Sequence, residues 1–119
     1  MVLVDTSIWV DHLRCRDHPL QGVLQEGQVL SHPMVIGELA CGHLTNRRKI
    51  LALLGALPSA KIATHEEVMA LIEERALAGQ GIGIVDAHLL ASCLLTHVLL
   101  WTEDRNLNRV AKSLALATP

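Results

Sequence analysis

The feature that most constrains this chain is a set of aliphatic runs too short for helices and too apolar for loops. They are Met1-Val2-Leu3-Val4, Gln28-Val29-Leu30-Ser31 and Val98-Leu99-Leu100-Trp101. Runs of this length, rich in branched side chains, read as strands buried on both faces. Lys61-Ile62-Ala63 reads as a further, minimal strand. Between these runs the apolar spacing changes to a helical period. Ile8, Trp9 and Leu13 mark one helix, capped by Thr6 or Ser7. Gly22 to Gly27 reads as punctuation. Met34, Val35, Leu39 and Ala40 stripe a second helix with Pro33 in its first turn and Gly42 at its end. Ile50, Leu51, Leu54 and Leu57 define a third, from Arg47 to Leu57, stopped by Pro58.

Thr64 and Glu67 form a capping box opening a helix with Val68, Leu71, Ile72 and Ala76 inward. A loop containing Gly79, Gly81 and Gly83 leads into a helical segment running to about Leu95. Asp104 starts a last helix bearing Leu107, Val110, Ala111 and Leu114. Strands alternating with helices predict an α/β fold: a mainly parallel sheet of four to five short strands with helices on both faces. At 119 residues a single domain over 1–119 is expected. The Gly81-x-Gly83 pair precedes a helix but follows no strand, which argues against a dinucleotide fingerprint.

Composition removes several function classes. Phe and Tyr are absent and Trp9 and Trp101 are the only aromatics besides histidine, so base stacking on a row of aromatic rings is excluded. The formal net charge of −2 gives no bulk basic signature for nucleic acid. Cys15, Cys41 and Cys93 are odd in number and widely spaced, which fits free thiols in a reducing compartment. The N-terminus has no basic region of a signal peptide. The uncharged stretch from Ala87 to Thr102 is shorter than the roughly 18 apolar residues of a spanning helix. A soluble, cytoplasmic protein is the expectation.

Four carboxylates stand where such a sheet puts its ligands, beyond the carboxyl ends of its strands. Asp5 closes the first strand and Asp104 lies just past the last. Glu38 follows the second strand on its helix, and Asp86 heads the apolar helix that leads into the last strand. Taken singly, Asp5 and Asp104 serve as helix caps and Asp86 as a first-turn anion. Glu38 lies beyond capping range among Ile36, Gly37, Leu39 and Ala40, where a solvated glutamate fits poorly. Carboxylates crowded together repel, and a hard divalent cation such as Mg²⁺ or Mn²⁺ removes the conflict. Such a site suits phosphodiester cleavage.

Asp-Thr-Ser at 5–7, Glu38 within S-H-P-M-V-I-G-E-L, D-A-H-L-L-A-S at 86–92 and L-W-T-E-D-R-N-L at 100–107 together resemble a PIN-domain nuclease. The length and element order resemble the VapC-like toxins of toxin–antitoxin pairs, from Val2 to about Leu116. The resemblance implies a three-layer α/β/α sandwich and a Mg²⁺- or Mn²⁺-dependent endoribonuclease leaving 5′-phosphate and 3′-hydroxyl ends. It implies that Asp5, Glu38, Asp86 and Asp104 are the catalytic and metal-binding acids. Thr6, Ser7 and Thr102 match the supporting hydroxyl positions. Implied partners are an RNA substrate and a cognate antitoxin, with a homodimer or a hetero-oligomer with antitoxin as the assembly. Leu107 replaces the aromatic residue frequent after the last aspartate, and Glu103 is read as surface.

With the four acids set aside as neutralised, the rest of the chain is net positive. Arg105 and Arg14 are the candidate phosphate contacts, with Arg16 and the Arg47-Arg48-Lys49 patch as further ones. His88 reads as a hydrogen-bonded core residue before it reads as a substrate contact. The rival to an enzyme is a silent PIN-like scaffold binding RNA or a partner, against which the presence of all four acids argues. A phosphomonoester transferase needs Asp-x-Asp after the first strand, and Ser7 stands at the second position. The 47–57 and 65–78 helices offer apolar faces for dimerisation.

Overall fold

The computed structural model describes residues 1–15 and 17–119, so Arg16, one of the candidate phosphate contacts, lies outside the described residues. The order of elements is β1 (Val2–Val4), α1 (Thr6–Arg14), α2 (Leu20–Gln25), β2 (Val29–Leu30), α3 (Pro33–Ala40), α4 (Arg47–Ala56), α5 (His65–Glu74), α6 (Ile84–Thr96), β3 (Leu99–Trp101) and α7 (Arg105–Ser113). The sheet is parallel with strand order β2-β1-β3, Val2 standing opposite both Val29 and Leu99. The predicted four to five strands resolve into three strands with one bridge at each edge, Ser31 with Ser59 and Leu100 with Ala117.

That pairing corrects the minimal strand expected at Lys61-Ile62-Ala63. The Ser31 N–H donates to the Pro58 carbonyl (2.8 Å) and the Ala60 N–H to the Ser31 carbonyl (2.9 Å), so the edge contact falls three residues earlier. The Lys61 N–H is engaged instead by the Thr96 hydroxyl at 3.0 Å, and Ile62 is 60 % exposed. Two further expectations fail locally. The 22–27 stretch contains most of a short helix, α2, with Gly22 inside it and Gly27 taking the positive φ after it. Ala76 is exposed with φ +52, beyond the end of α5, and Leu77 is buried in the place expected for it.

The core is aliphatic, as the composition requires. Leu3, Val4, Leu89, Leu90, Leu100, Leu107 and Val110 are essentially inaccessible, binding the sheet to α6 and α7. Fully burying a Leu or Val side chain contributes roughly 1.5–3 kcal/mol. The apolar length of α6, with seven consecutive residues from Ala87 to Cys93 buried, therefore fixes that helix firmly in place. The Thr64–Glu67 capping box forms as expected: Glu67 N–H to Thr64 Oγ1 at 3.1 Å and Thr64 N–H to Glu67 Oε1 at 2.9 Å. Cys15, Cys41 and Cys93 are all free thiols. No helix of the described residues is long and apolar enough to cross a membrane.

Candidate active site

The site begins where β1 ends. Parallel pairing of β1 with β3 sets Asp5 beside the residues that follow Trp101, and the Asp5 N–H donates to the Trp101 carbonyl at 3.0 Å. The chain leaves β1 toward β2 on one side and later returns to β3 on the other. Asp5 and Thr102 therefore flank the place where an open parallel sheet reverses its strand order.

Asp5 is buried, yet its charge has donors. Thr102 Oγ1 donates to Asp5 Oδ2 at 2.7 Å and Ser7 Oγ to the same oxygen at 2.9 Å. The two hydroxyls lie 3.3 Å apart, and each accepts a backbone N–H from the turn after β3. Asp104 N–H donates to Thr102 Oγ1 and Glu103 N–H to Ser7 Oγ, both at 3.0 Å. Asp5, and neither Thr6 nor Ser7, occupies the cap position of α1, and its side chain makes no capping bond. The hydroxyls face the carboxylate instead of the helix start.

The other three acids hold looser positions around this corner. Asp104 caps α7, accepting the Leu107 N–H on Oδ1 at 2.9 Å. Asp86 sits in the first turn of α6 and accepts the Gly83 N–H on Oδ2 at 3.1 Å. The local roles that explain Asp104 and Asp86 singly are thus realised, whereas the capping role of Asp5 is not. They leave the second oxygen of each carboxylate without a described bond. Glu38, against the expectation that a solvated glutamate fits poorly there, is exposed on α3, because its apolar neighbour Leu39 turns inward while Glu38 faces out. It accepts from Thr6 Oγ1 at 2.7 Å, which joins α3 to the start of α1. Burial raises the pKa of Asp86. The Gly83 N–H opposes that shift, and repulsion from Asp5, Asp104 and Glu38 adds to it. One carboxyl therefore feels the charges of all three others.

The donor set is made of oxygen alone and is crowded with negative charge, which fits a hard divalent cation. Among the described residues, however, the three-member group whose ligand atoms lie within 4.8 Å of one another is Asp11, His18 and Glu103. Glu103 is exposed, as expected, but the Asp11 carboxyl beside it raises its pKa. These three are separated along the chain by no recognisable spacing, and no sequence signal marks Asp11 or His18.

The basic residues divide. Arg105 and Arg14 are exposed near the acids, Arg14 lining a groove together with Thr6 and Glu38. Arg47 is occupied structurally, its guanidinium donating to the carbonyls of Gly42 and Ala40. His88 is a core residue, as expected, but its Nδ1 has no hydrogen-bond partner among the described residues. The bonded buried histidine is His32, which the sequence reading passed over. Its Nδ1 accepts the Met34 N–H at the start of α3 (3.1 Å), so its Nε2–H faces Ser92 Oγ on α6 at 3.0 Å. Burial, with His88 nearby, lowers the His32 pKa. This bond connects the helix carrying Glu38 to the helix carrying Asp86.

A PIN-domain family model matches residues 2–113. The chain is 44 % identical over 108 residues to Ribonuclease VapC32 of Mycobacterium tuberculosis, in both strain CDC 1551 / Oshkosh and strain ATCC 25618 / H37Rv. The match covers 90 % of this chain and 87 % of each relative. An acid-rimmed parallel sheet, the family match over nearly its whole length and these relatives agree: the chain belongs to the PIN-domain family, in its VapC-like branch.

Proposed function

We propose that this chain is a Mg²⁺-dependent endoribonuclease, with Mn²⁺ as an alternative ion, acting as the toxin of a toxin–antitoxin pair. The observation that carries the reading is the hydroxyl frame at the end of β1: Thr102 binds both Asp5 and the Asp104 N–H, Thr6 binds Glu38, and Asp86 lies within electrostatic reach of all three acids. The ribonuclease name of its 44 %-identical relatives supports the substrate class. When bound, the ion neutralises the crowded carboxylates and activates water for in-line attack on phosphorus.

The chain's own residues prepare that chemistry. Thr102 and Ser7 fix Asp5 through Oδ2, so Asp5 would be held in place to bind the ion. Thr6 orients Glu38 through one carboxylate oxygen and leaves the other free. Arg105 and Arg14 hold substrate phosphates beside the acids without reading sequence. An antitoxin segment is the proposed partner. An apolar groove of about 280 Å³ between α1 and α4, with Trp9 and the 57 %-exposed Leu53 in its lining, supports that part of the reading. Homodimerisation is proposed alongside it.

The test is cleavage of total RNA by the purified chain with Mn²⁺, Mg²⁺ or EDTA, against the double variant Asp5→Asn with Asp104→Asn. An asparagine oxygen still accepts the hydroxyls at position 5 and the Leu107 N–H at position 104, so the fold is expected to survive. Cleavage should disappear with EDTA and in the double variant. Undiminished cutting by that variant overturns the mechanism.

A further inference from the structure

Beside Glu38 lies a groove of about 480 Å³, within the range of small-ligand sites, and the four acids do not account for it. We propose that it seats one base of the RNA, the nucleotide flanking the phosphate to be cut. The inference rests on the ribonuclease reading above and adds to it a place where sequence is selected.

Three observations support a base as the occupant. The first is continuity: Thr6 and Glu38 form one wall, so a chain whose phosphate lies at the acids passes directly into the groove. The second is chemical composition. Val10, Leu39 and Ile50 supply apolar surface for a ring face, whereas Thr45 and Asn46 supply polar groups for its edge. Arg14 adds a cation for the adjoining phosphate. Single-stranded RNA is read in this manner, by splayed bases whose edges are hydrogen-bonded.

The third is an amide not used for folding. Asn46 occupies the cap position of α4, where an asparagine side chain ordinarily accepts an N–H from the first turn. Here it makes no capping bond, its backbone is left-handed (φ 56, ψ 46), and the residue is part of the groove lining. An asparagine amide carries a donor and an acceptor side by side, the pairing that reads a base edge. Arg47 fastens the 41–46 loop to the end of α3 through the carbonyls of Ala40 and Gly42, so the amide is presented from an ordered loop.

The experiment uses the purified chain, Mn²⁺ and a random-sequence RNA pool, with sequencing of the new ends and a thermal melt for each variant. Asn46→Asp exchanges the amide's donor for an acceptor and suits the same left-handed backbone. It is expected to change the base preference at one position flanking the cut by about tenfold. Thr45→Trp fills the groove and is expected to flatten that preference without lowering the melting temperature. A wild-type preference that both variants leave intact overturns the subsite, and so does wild-type cutting with no base preference. No cutting of any RNA by the wild type, with Mn²⁺ here or with Mg²⁺ in a parallel reaction, overturns the ribonuclease reading itself.

Discussion

Asp5 and Asp86 are both carboxylates at one edge of the sheet, but their charges are handled in opposite ways. Asp5 is buried and has two hydroxyls drawn from positions 2 and 97 residues away along the chain. Asp86 is half-buried and has one N–H from its own turn, with three acids as electrostatic neighbours. A buried polar group needs its partners, and leaving one unsatisfied costs about 1–3 kcal/mol. The Asp5 corner is therefore part of what holds β1 against β3. Asp86 is a charge the fold tolerates, kept in place by the apolar length of α6.

The largest effect expected from breaking this contrast is at Thr102. Thr102→Val removes the hydroxyl that donates to Asp5 and accepts from the Asp104 N–H. About 1–3 kcal/mol of stability should be lost, readable in a denaturant titration. RNA cleavage should fall roughly 10–100-fold, as for partners that orient a metal ligand.

Next comes Gly81, at φ +80 in the loop that leads to Asp86. A Cβ there would lie 2.5 Å from Asn106 Nδ2, and Asn106 and Arg109 bind the carbonyls of Gly81 and Gln80. Gly81→Ala should destabilise by about 1–3 kcal/mol and displace this loop. Gly79→Ala, at φ +75 in open space, should cost only the backbone part of that amount. Equal melting temperatures for the two variants would show that the Asn106 contact contributes nothing.

The smallest effect sharpens the comparison from the other side. The folded-state pKa of Asp86 is raised, so between its ordinary and its raised value the native state holds more protons than the unfolded state. Stability contributed by this group therefore falls as pH rises through that window. In EDTA, Asp86→Asn should melt above the wild type at pH 8 and coincide with it at acid pH, where both side chains are neutral. Added Mn²⁺ should reverse the order at pH 8. An unchanged difference with and without Mn²⁺ would remove Asp86 from the proposed ion site.

The elements written in periodicity were legible beforehand. β1 and β3 follow from aliphatic runs, and α7 from the i, i+3, i+4, i+7 spacing of Leu107, Val110, Ala111 and Leu114. α2 was not, because Gly22 reads as a breaker and the helix buries only Leu20. The pairing at Ser59 was placed on 61–63, since nothing local shows that Thr96 takes the Lys61 N–H. The four acids were legible as an ordered set, but their partners only in part. Ser7 and Thr102 stand beside motif aspartates, whereas His32 and Ser92 meet across 60 residues with no spacing to announce them. Asn46 was not singled out at all: it stands just before the Arg47 helix, and only the structure shows that its side chain makes no capping bond there.

The bridges at Ser59 and Ala117 bear on how the molecule meets other chains. The Pro58 carbonyl and Ala60 N–H already engage the residue after β2, and Leu116 and Thr118 engage Leu100 in the middle of β3. A strand edge with exposed N–H and carbonyl groups invites another chain to extend the sheet. Here the protein's own backbone engages one residue beside each outer strand, and the strands are two or three residues long. Among the described residues the sheet therefore offers only a short template for strand addition, which leaves the side chains of the helical faces to select a partner and disfavours self-association into extended sheets.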